Sequence, residues 1–153
     1  MANLVKLRKG LDINLKGKPA REMLDVKLAA GYALCPDDFT GVTPKVVVKE
    51  EQMVKAGEPL FIDKNHPEVK FVSPVSGKVT LVERGARRKV LSVRVAAEGN
   101  EVVEFGKKSV ASLSGAQVKE ALLEAGLFAF FKQRPYDVVP SPEVAPRAIF
   151  VSA

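Results

Sequence analysis

Short runs in which apolar and polar residues alternate recur over the first two thirds of the chain, and they predict a β-rich fold. Turns rich in glycine, proline and acidic residues separate the runs, which occupy residues 11–15, 45–49, 60–62, 69–72, 79–82, 90–95 and 102–105. Residues 25–34 are ambiguous between helix and strand, and the interior Gly31 favours a strand. Gly85 lies at the tip of the hairpin predicted over residues 78–95, where we expect it to adopt the positive φ that such a tip usually needs.

The pattern changes after residue 108, where helical signals replace the alternation. Ser114 with Gln117 three residues later forms a capping-box pattern, and Gly126 lies where a glycine commonly ends a helix. Apolar residues between them repeat at helical spacing, at Val118, Ala121, Leu122 and Ala125. The sequence therefore predicts one amphipathic helix here.

The last twenty residues predict an irregular stretch followed by a strand. Residues 135–146 contain four prolines, and residues 148–151 form a continuous apolar run typical of a strand buried on both faces. No covering elements accompany this strand, so we expect the chain to be a fragment of a longer protein. We predict a β-rich domain over residues 1–105, and over residues 106–153 a helix, a proline-rich loop and the first strand of a following α/β domain.

Composition adds limits on location and chemistry. Of the 153 residues, 46% are hydrophobic and 27% charged, as in soluble proteins that form a core. No apolar run approaches the roughly 20 residues needed to cross a bilayer, and the first ten residues lack the apolar stretch of a signal peptide. The single cysteine, Cys35, excludes an internal disulfide, so cytoplasmic residence is expected. The net charge of +6 is compatible with nucleic acid, an anionic membrane face, an acidic partner or a solvated basic surface.

The hairpin predicted between residues 46 and 79 resembles the biotinyl and lipoyl carrier domains, through its phrases AGEPLF and SPVSGKV. This resemblance implies a barrel-sandwich hybrid, in which two short sheets pack as a flattened barrel. In lipoyl carriers the modified lysine lies about eight residues before the proline, and counting back from Pro74 gives His66. Lys64 is two positions away and no methionine flanks it. The fold prediction stands, whereas a carrier function is disfavoured.

Other candidate sites have simpler explanations. His66 has no histidine or cysteine companion, so a solvated hairpin histidine is favoured over a metal ligand. The adjacent carboxylates of Asp37 and Asp38 lack further oxygen ligands at a set spacing, and no metal site is predicted. The densest basic cluster is formed by Arg84, Arg87, Arg88 and Lys89. No aromatic residue is interleaved with it, so we expect an interface or a solvated hairpin and no nucleic acid.

The most distinctive patch combines aromatic and basic residues near the end of the chain. Three of the eight phenylalanines, Phe128, Phe130 and Phe131, lie within four residues and precede Lys132, Arg134 and Tyr136. Aromatic walls with a few donors suit a flat, mostly apolar ligand such as a quinone. The alternative is that these phenylalanines only pack the helix onto its sheet.

Four longer segments together resemble the N-terminal part of the A-subunit of the Na+-translocating NADH:quinone reductase. They read KGLDINLKGKP, FTGVTPKVVVKEEQMVKAGEPLF, DKNHPEVKFVSPVSGKV and LLEAGLFAFFKQRPYDVVPSPEVAPRAIFVSA. The resemblance implies a peripheral subunit on the cytoplasmic face of the bacterial inner membrane, in a complex that oxidises NADH, reduces ubiquinone and exports Na+. It implies that flavins and iron centres belong to other subunits, and that the partners are those subunits, especially the membrane subunit. We therefore expect an enzyme only as part of the complex, with no catalysis by the fragment alone.

The same resemblance places quinone contact on the segments that match residues 34–42 and 131–138. The candidate quinone-binding residues are Leu34, Phe39, Gly41, Val42, Phe131, Lys132, Arg134 and Tyr136. No covalently bound cofactor and no metal are implied, and ubiquinone is the expected ligand.

A more distant resemblance links residues 122–126 to the start of the flavin loop in the NADH-oxidising subunit of complex I and in the C-subunit of Rnf-type complexes. There a glycine-rich loop lets backbone approach the flavin phosphate. Here the bulky residues 128–132 occupy that stretch, so FMN and NADH binding are not expected, and no cysteine cluster exists for an iron–sulfur centre. The alternative function is a carrier-like or docking module of an Rnf-type electron-transfer complex without bound cofactor.

Overall fold

The computed structural model describes residues 16–17, 20–27, 29–107 and 109–151. The strand predicted over residues 11–15 lies outside this part of the chain. The predicted β-rich architecture is confirmed, because the described strands form two antiparallel sheets. The strands are β1 (Gly31–Leu34), β2 (Pro44–Val46), β3 (Met53–Val54), β4 (Pro59–Asp63), β5 (Lys70–Val72), β6 (Gly77–Arg84) and β7 (Val90–Ala97).

One sheet has four strands in the order β1-β7-β6-β3, and the other has three in the order β2-β4-β5. Both sheets contribute side chains to a shared hydrophobic core. Alternation is interrupted in β4, where the consecutive Leu60 and Phe61 are both buried at a register shift between Pro59 and Phe61. The fully buried side chains are Leu60, Phe61, Val69 and Phe71 from the smaller sheet and its hairpin, and Val79, Val93 and Val95 from the larger sheet.

Aromatic rings close one side of this core. Phe61 and Phe71 stack with centroids 4.6 Å apart and an interplanar angle of 14°. Phe39, from the loop that follows β1, meets Phe71 edge-on at 4.6 Å and Phe61 at 6.4 Å. Since edge-to-face pairs stabilise beyond their buried area, the loop that carries Phe39 is anchored to the core.

The hairpin between β4 and β5 is held by a buried carboxylate. Asp63 accepts hydrogen bonds through Oδ1 from the N–H groups of Thr43 and Asn65, both at 3.1 Å. The Lys64 N–H donates to the Thr43 carbonyl oxygen at 2.8 Å, and the Val69 N–H donates to the His66 carbonyl oxygen at 2.9 Å. These contacts give the hairpin a structural role.

The long hairpin of β6 and β7 forms as predicted, but its tip differs. Gly85 has φ −94°, and the positive φ values belong to Arg87 (55°) and Arg88 (61°). The reason is that the chain reverses in a 3₁₀ turn at Ala86–Arg88, while the Gly85 N–H pairs with the Lys89 carbonyl oxygen at 2.8 Å. The expectation for Gly85 was wrong.

Two predicted strands are shorter than their patterns suggested. Over residues 25–34 only the last four form β1, and the described residues that precede it are irregular and mostly exposed. Over residues 102–105 a single bridge joins Val102 to Ala56, although the neighbouring Phe105 ring packs on Gly57. Val102 is 57% exposed and Phe105 half-buried, so the apolar pattern here indicated neither a buried face nor a continuous ladder.

The predicted helix is confirmed as α1 (Gly115–Glu124), and so is its capping box. The Gln117 N–H donates to Ser114 Oγ at 3.3 Å, while the Ser114 N–H donates to Gln117 Oε1 at 2.9 Å. Gly126 follows the helix with φ 71° and lies directly on β5. A 3₁₀ turn at Phe128–Phe130 comes next, and others lie at Pro36–Asp38 and Val110–Ser112.

The apolar run at residues 148–151 departs from its prediction. It is irregular and exposed, with Phe150 91% accessible, so the predicted doubly buried strand is wrong for this structure. A strand needs neighbours for its backbone hydrogen bonds, and no described strand pairs with this run. The division of the chain at residues 105 and 106 stays a prediction.

Candidate functional site

The two segments proposed for ligand contact, 34–42 and 131–138, lie against each other. The Val139 N–H donates to the Thr40 carbonyl oxygen at 3.0 Å. Gly41 has φ 88°, and a Cβ placed on it would lie 3.1 Å from Cβ of Val138. Glycine is therefore suited to Gly41 by both conformation and space, and the two segments form one surface.

Lys132 adds a side-chain contact between the same two segments. Its Nζ donates to the Asp38 carbonyl oxygen at 3.5 Å, at the end of the 3₁₀ turn Pro36–Asp38. A cation near the carbonyl end of a helical turn is favoured by the backbone dipole.

The apolar candidates of the first segment face the core. Phe39 is 9% exposed, and Leu34 and Val42 pack against the core cluster from partly buried positions. Their side chains support the surface from beneath. The structure thus places Leu34, Phe39 and Val42 within the packing of the domain, whereas the sequence pattern alone could not give their orientation.

The candidates of the second segment are exposed. Phe131 is 37% and Tyr136 73% accessible, and Lys132 and Arg134 are exposed as well. Arg134 Nη1 forms an ion pair with Asp137 Oδ1 at 3.3 Å, within a loop closed by a hydrogen bond from the Gln133 N–H to the Val138 carbonyl oxygen at 2.8 Å.

The alternative that the phenylalanines only pack the helix onto its sheet holds for Phe128 and not for Phe130. Phe128 is buried at 9% exposure beside Phe131, with ring centroids 5.8 Å apart, so it does pack the end of α1 onto the domain. Phe130 is 66% exposed and meets Phe39 edge-on at 6.0 Å. Phe130 is absent from the predicted contact residues, and its place in a dense phenylalanine run was the signal that pointed to it. We call Phe130, Phe131, Lys132, Arg134 and Tyr136 the aromatic patch.

A small cavity lies under the aromatic patch. It has a volume of about 20 Å³ and lies among Leu34, Phe39, Phe71, Val72, Gly126, Ala129 and Phe130. This is room for about one water molecule, whereas pockets for small ligands usually span roughly 300–1,000 Å³. The patch can therefore offer a flat ring one open wall and flanking cations.

A larger open groove of about 580 Å³ crosses the outer face of β1, β6 and β7. Its charged residues bind one another, since Glu83 Oε2 accepts from Ser92 Oγ and from Arg94 Nη2, both at 2.8 Å. Hydrogen bonds from Ser92 and Arg94, and the charge of Arg94, hold the pKa of Glu83 below its ordinary value of 4.5. The groove thus contains an internally satisfied polar cluster.

The remaining sequence candidates are dispersed over the surface. Asp37 forms an ion pair with Lys89 at 2.6 Å, which agrees with its interpretation as a loop acid. Within the ranges that the structure describes, no three His, Cys, Asp or Glu residues lie together as a metal site. In those same ranges, no helix has the length and apolar character needed to span a bilayer.

Sequence comparisons identify the family to which the chain belongs. Residues 5–98 match the profile described as the NqrA N-terminal barrel-sandwich hybrid domain, which confirms the fold class, and residues 113–153 match the NqrA second alpha/beta domain. The chain is similar to the A-subunit of the Na(+)-translocating NADH-quinone reductase from Neisseria meningitidis serogroup A (37% identity over 153 residues) and from Serratia proteamaculans (40% over 155). Each alignment covers 98% of this chain and 34% of the relative, so the chain spans about a third of the relatives' length. The chain belongs to the NqrA family, the A-subunit of the Na(+)-translocating NADH-quinone reductase.

Proposed function

We propose that this chain acts within a Na+-pumping NADH:ubiquinone oxidoreductase as an accessory, quinone-interacting part of the A-subunit. In this proposal it is peripheral, on the cytoplasmic face of the inner membrane, and it contributes no flavin or iron site of its own. Its partners are the other subunits, especially the membrane subunit, and its ligand is ubiquinone. Support comes from its family membership and from the names of its relatives, which are subunits of an NADH-quinone reductase.

The observation that carries the quinone contact is the joining of segments 34–42 and 131–138 at one exposed aromatic surface. The Phe131 and Tyr136 rings offer faces on which a quinone ring can stack. Lys132 and Arg134 supply N–H donors for its two carbonyl oxygens, which can only accept hydrogen bonds. Aromatic faces with a few placed donors are the elements that such a ligand requires.

The shape of the patch defines the kind of contact. Because the cavity beneath the rings holds only about 20 Å³, a quinone would lie on the surface and would need a second wall. That wall is proposed to come from the membrane subunit at the bilayer surface, so that part of the patch faces this subunit and the rest faces lipid. The chain would then provide one half of an interfacial site, which agrees with an accessory role and with the absence of turnover expected from the chain alone.

Photo-crosslinking in the assembled reductase tests this assignment. A quinone carrying a photoreactive group is expected to label peptides from both segments, and excess unmodified quinone should abolish the labelling. Phe131→Ala should reduce labelling of this chain several-fold, while Phe150→Ala, which removes an exposed phenylalanine outside the two segments, should leave it unchanged. Labelling confined to other subunits, at the same quinone occupancy, would rule the patch out.

A further inference from the structure

The tip of the β6–β7 hairpin concentrates positive charge that the described carboxylates do not neutralise. Four exposed cations lie within six residues, at Arg84, Arg87, Arg88 and Lys89. Lys89 is paired with Asp37 at 2.6 Å, but no described carboxylate lies within ion-pair distance of the three arginines. The nearest carboxylate in sequence, Glu83, is already bound by Ser92 and Arg94. Among the described residues, the tip therefore presents three guanidinium groups without a carboxylate partner.

The backbone holds two of these arginines in an unusual conformation. Arg87 and Arg88 both have positive φ, which is uncommon for long side chains and costs energy. Hydrogen bonds at the base of the tip maintain it, from the Gly85 N–H to the Lys89 carbonyl oxygen at 2.8 Å and from the Lys89 N–H to the Ala86 carbonyl oxygen at 3.2 Å. Backbone strain that the surrounding structure maintains is often found at functional positions.

The basic tip and the aromatic patch reach the same 3₁₀ turn, Pro36–Asp38. Lys89 pairs with the Asp37 carboxylate, and Lys132 donates to the Asp38 carbonyl oxygen at 3.5 Å. The exposed ring of Phe130 lies next to this turn as well, through its edge-on contact with Phe39, the residue that follows the turn. Cations combined with exposed aromatic side chains are typical of surfaces that lie in the headgroup region of a bilayer.

We propose that the basic tip, residues 84–89, together with the aromatic patch, binds the anionic phospholipid headgroups of a bilayer. Guanidinium groups bind phosphate oxygens in pairs, and the aromatic rings suit the boundary between headgroups and acyl chains. A lipid surface is favoured over an acidic peptide because the exposed guanidinium groups are combined with exposed aromatic rings, Phe130 at 66% and Tyr136 at 73% accessibility, which suit the boundary between headgroups and acyl chains. The inference rests on the proposed function and deepens it by stating which surface the peripheral protein rests on.

Flotation with lipid vesicles tests the proposal on the intact chain. Binding is expected to vesicles that contain phosphatidylglycerol in phosphatidylcholine and not to phosphatidylcholine alone. Binding should weaken strongly between 0.1 M and 1 M salt, because the Debye screening length shortens from about 10 Å to about 3 Å. Equal binding to neutral and anionic vesicles would overturn the proposal. Binding to polyglutamate without binding to vesicles would also overturn it and would favour an acidic protein partner.

Charge-matched variants locate the surface. Arg87→Asn with Arg88→Asn removes two unpaired charges and keeps residues that tolerate positive φ, and it should lower the vesicle partition coefficient about 25-fold, at about fivefold for each arginine. The control, Lys27→Asn with Lys107→Asn, removes the same charge from exposed lysines outside residues 84–89 and the aromatic patch, Lys27 preceding the end of β1 that pairs with Ala96, away from the tip. It should change partitioning less than twofold. Equal losses in both pairs would indicate a net-charge effect and contradict a defined surface.

Tryptophan fluorescence tests whether the aromatic patch takes part in the lipid contact. The chain has no tryptophan, so Tyr136→Trp introduces a single fluorophore in the aromatic patch. Its emission should shift to the blue with anionic vesicles, and an unshifted spectrum under full binding would exclude the patch from the contact. The proposed function fails separately from this one, since quinone crosslinking in the complex does not require the tip arginines. Arg87→Asn with Arg88→Asn should leave that crosslinking in place.

Discussion

The ionisation of the Glu83 carboxylate is set by two neighbouring side chains. Ser92 Oγ and Arg94 Nη2 each donate to it at 2.8 Å, so its ionised form is favoured in the folded protein. Since its pKa is lowered on folding, the stabilisation is present above about pH 4.5 and is lost as the pH falls through the folded pKa.

Ser92→Ala is expected to raise the pKa of Glu83 toward 4.5, because the hydrogen bond from Ser92 is the largest cause of the lowering. The side-chain carboxyl carbon of Glu83, followed by NMR over an acid titration, measures the change. Thr80→Ala is the matched control, since Thr80 Oγ1 donates to the Arg94 carbonyl oxygen at 3.4 Å and not to Glu83. An unchanged pKa in Ser92→Ala would contradict the assignment.

Residue types in the candidate site could be predicted from the sequence, but their exposure could not. Phe39 and Phe131 are both phenylalanines in predicted contact segments, yet one closes the core and the other lies at the surface. The orientation of Phe39 depends on Phe61 and Phe71, which lie on a hairpin 22 and 32 residues further along the chain. Long-range packing of this kind leaves no trace in a local pattern.

Among the elements, those with local signals could be predicted and those that depend on partners could not. The capping box at Ser114 and the glycine after α1 are satisfied within a few residues, and both are confirmed. Residues 102–105 and 148–151 have comparable apolar patterns, but strand formation requires backbone partners elsewhere, and continuous pairing is absent in the part described. The positive φ of Arg87 and Arg88 had no sequence signal, because such conformations usually belong to glycine or asparagine.

The junction between α1 and β5 positions the aromatic patch, and Gly126 is its critical residue. A Cβ at Gly126 would lie 2.6 Å from Cγ1 of Val72, and its φ of 71° is unfavourable for alanine. Gly126→Ala is therefore expected to lower the free energy of unfolding by about 3 kcal/mol, as the sum of conformational strain and overpacking. Urea denaturation measures the loss.

Gly106→Ala serves as the comparison, because Gly106 has a similar φ of 73° but nothing within 4 Å of a Cβ. Gly106→Ala should lower the free energy of unfolding by only about 1 kcal/mol, from the backbone conformation alone. Adding Val72→Ala to Gly126→Ala should recover part of the steric loss. Equal costs at the two glycines would show that close packing on β5 does not contribute.

At the scale of the whole molecule, the barrel-sandwich domain acts as a support. Its hairpin, which resembles that of a carrier domain, is occupied by structural hydrogen bonds to Asp63 and Thr43. The exposed candidate residues lie instead around the 3₁₀ turn Pro36–Asp38, which binds Lys132 of the aromatic patch and Lys89 of the basic tip. A molecule arranged in this way is suited to present one surface to partners, as the accessory role that we propose requires.

Titration of a short-chain quinone into the assembled reductase tests the central claim most directly. Phe131→Ala and Arg134→Ala should each raise the dissociation constant for quinone about fivefold, as expected for the loss of one aromatic contact or one charged hydrogen bond. Phe150→Ala and Arg147→Ala, which remove an exposed ring and an exposed cation outside the two segments, should bind as the wild type does. Thermal unfolding of each variant shows that it is folded. Identical quinone affinity in wild type and all four variants would contradict the account.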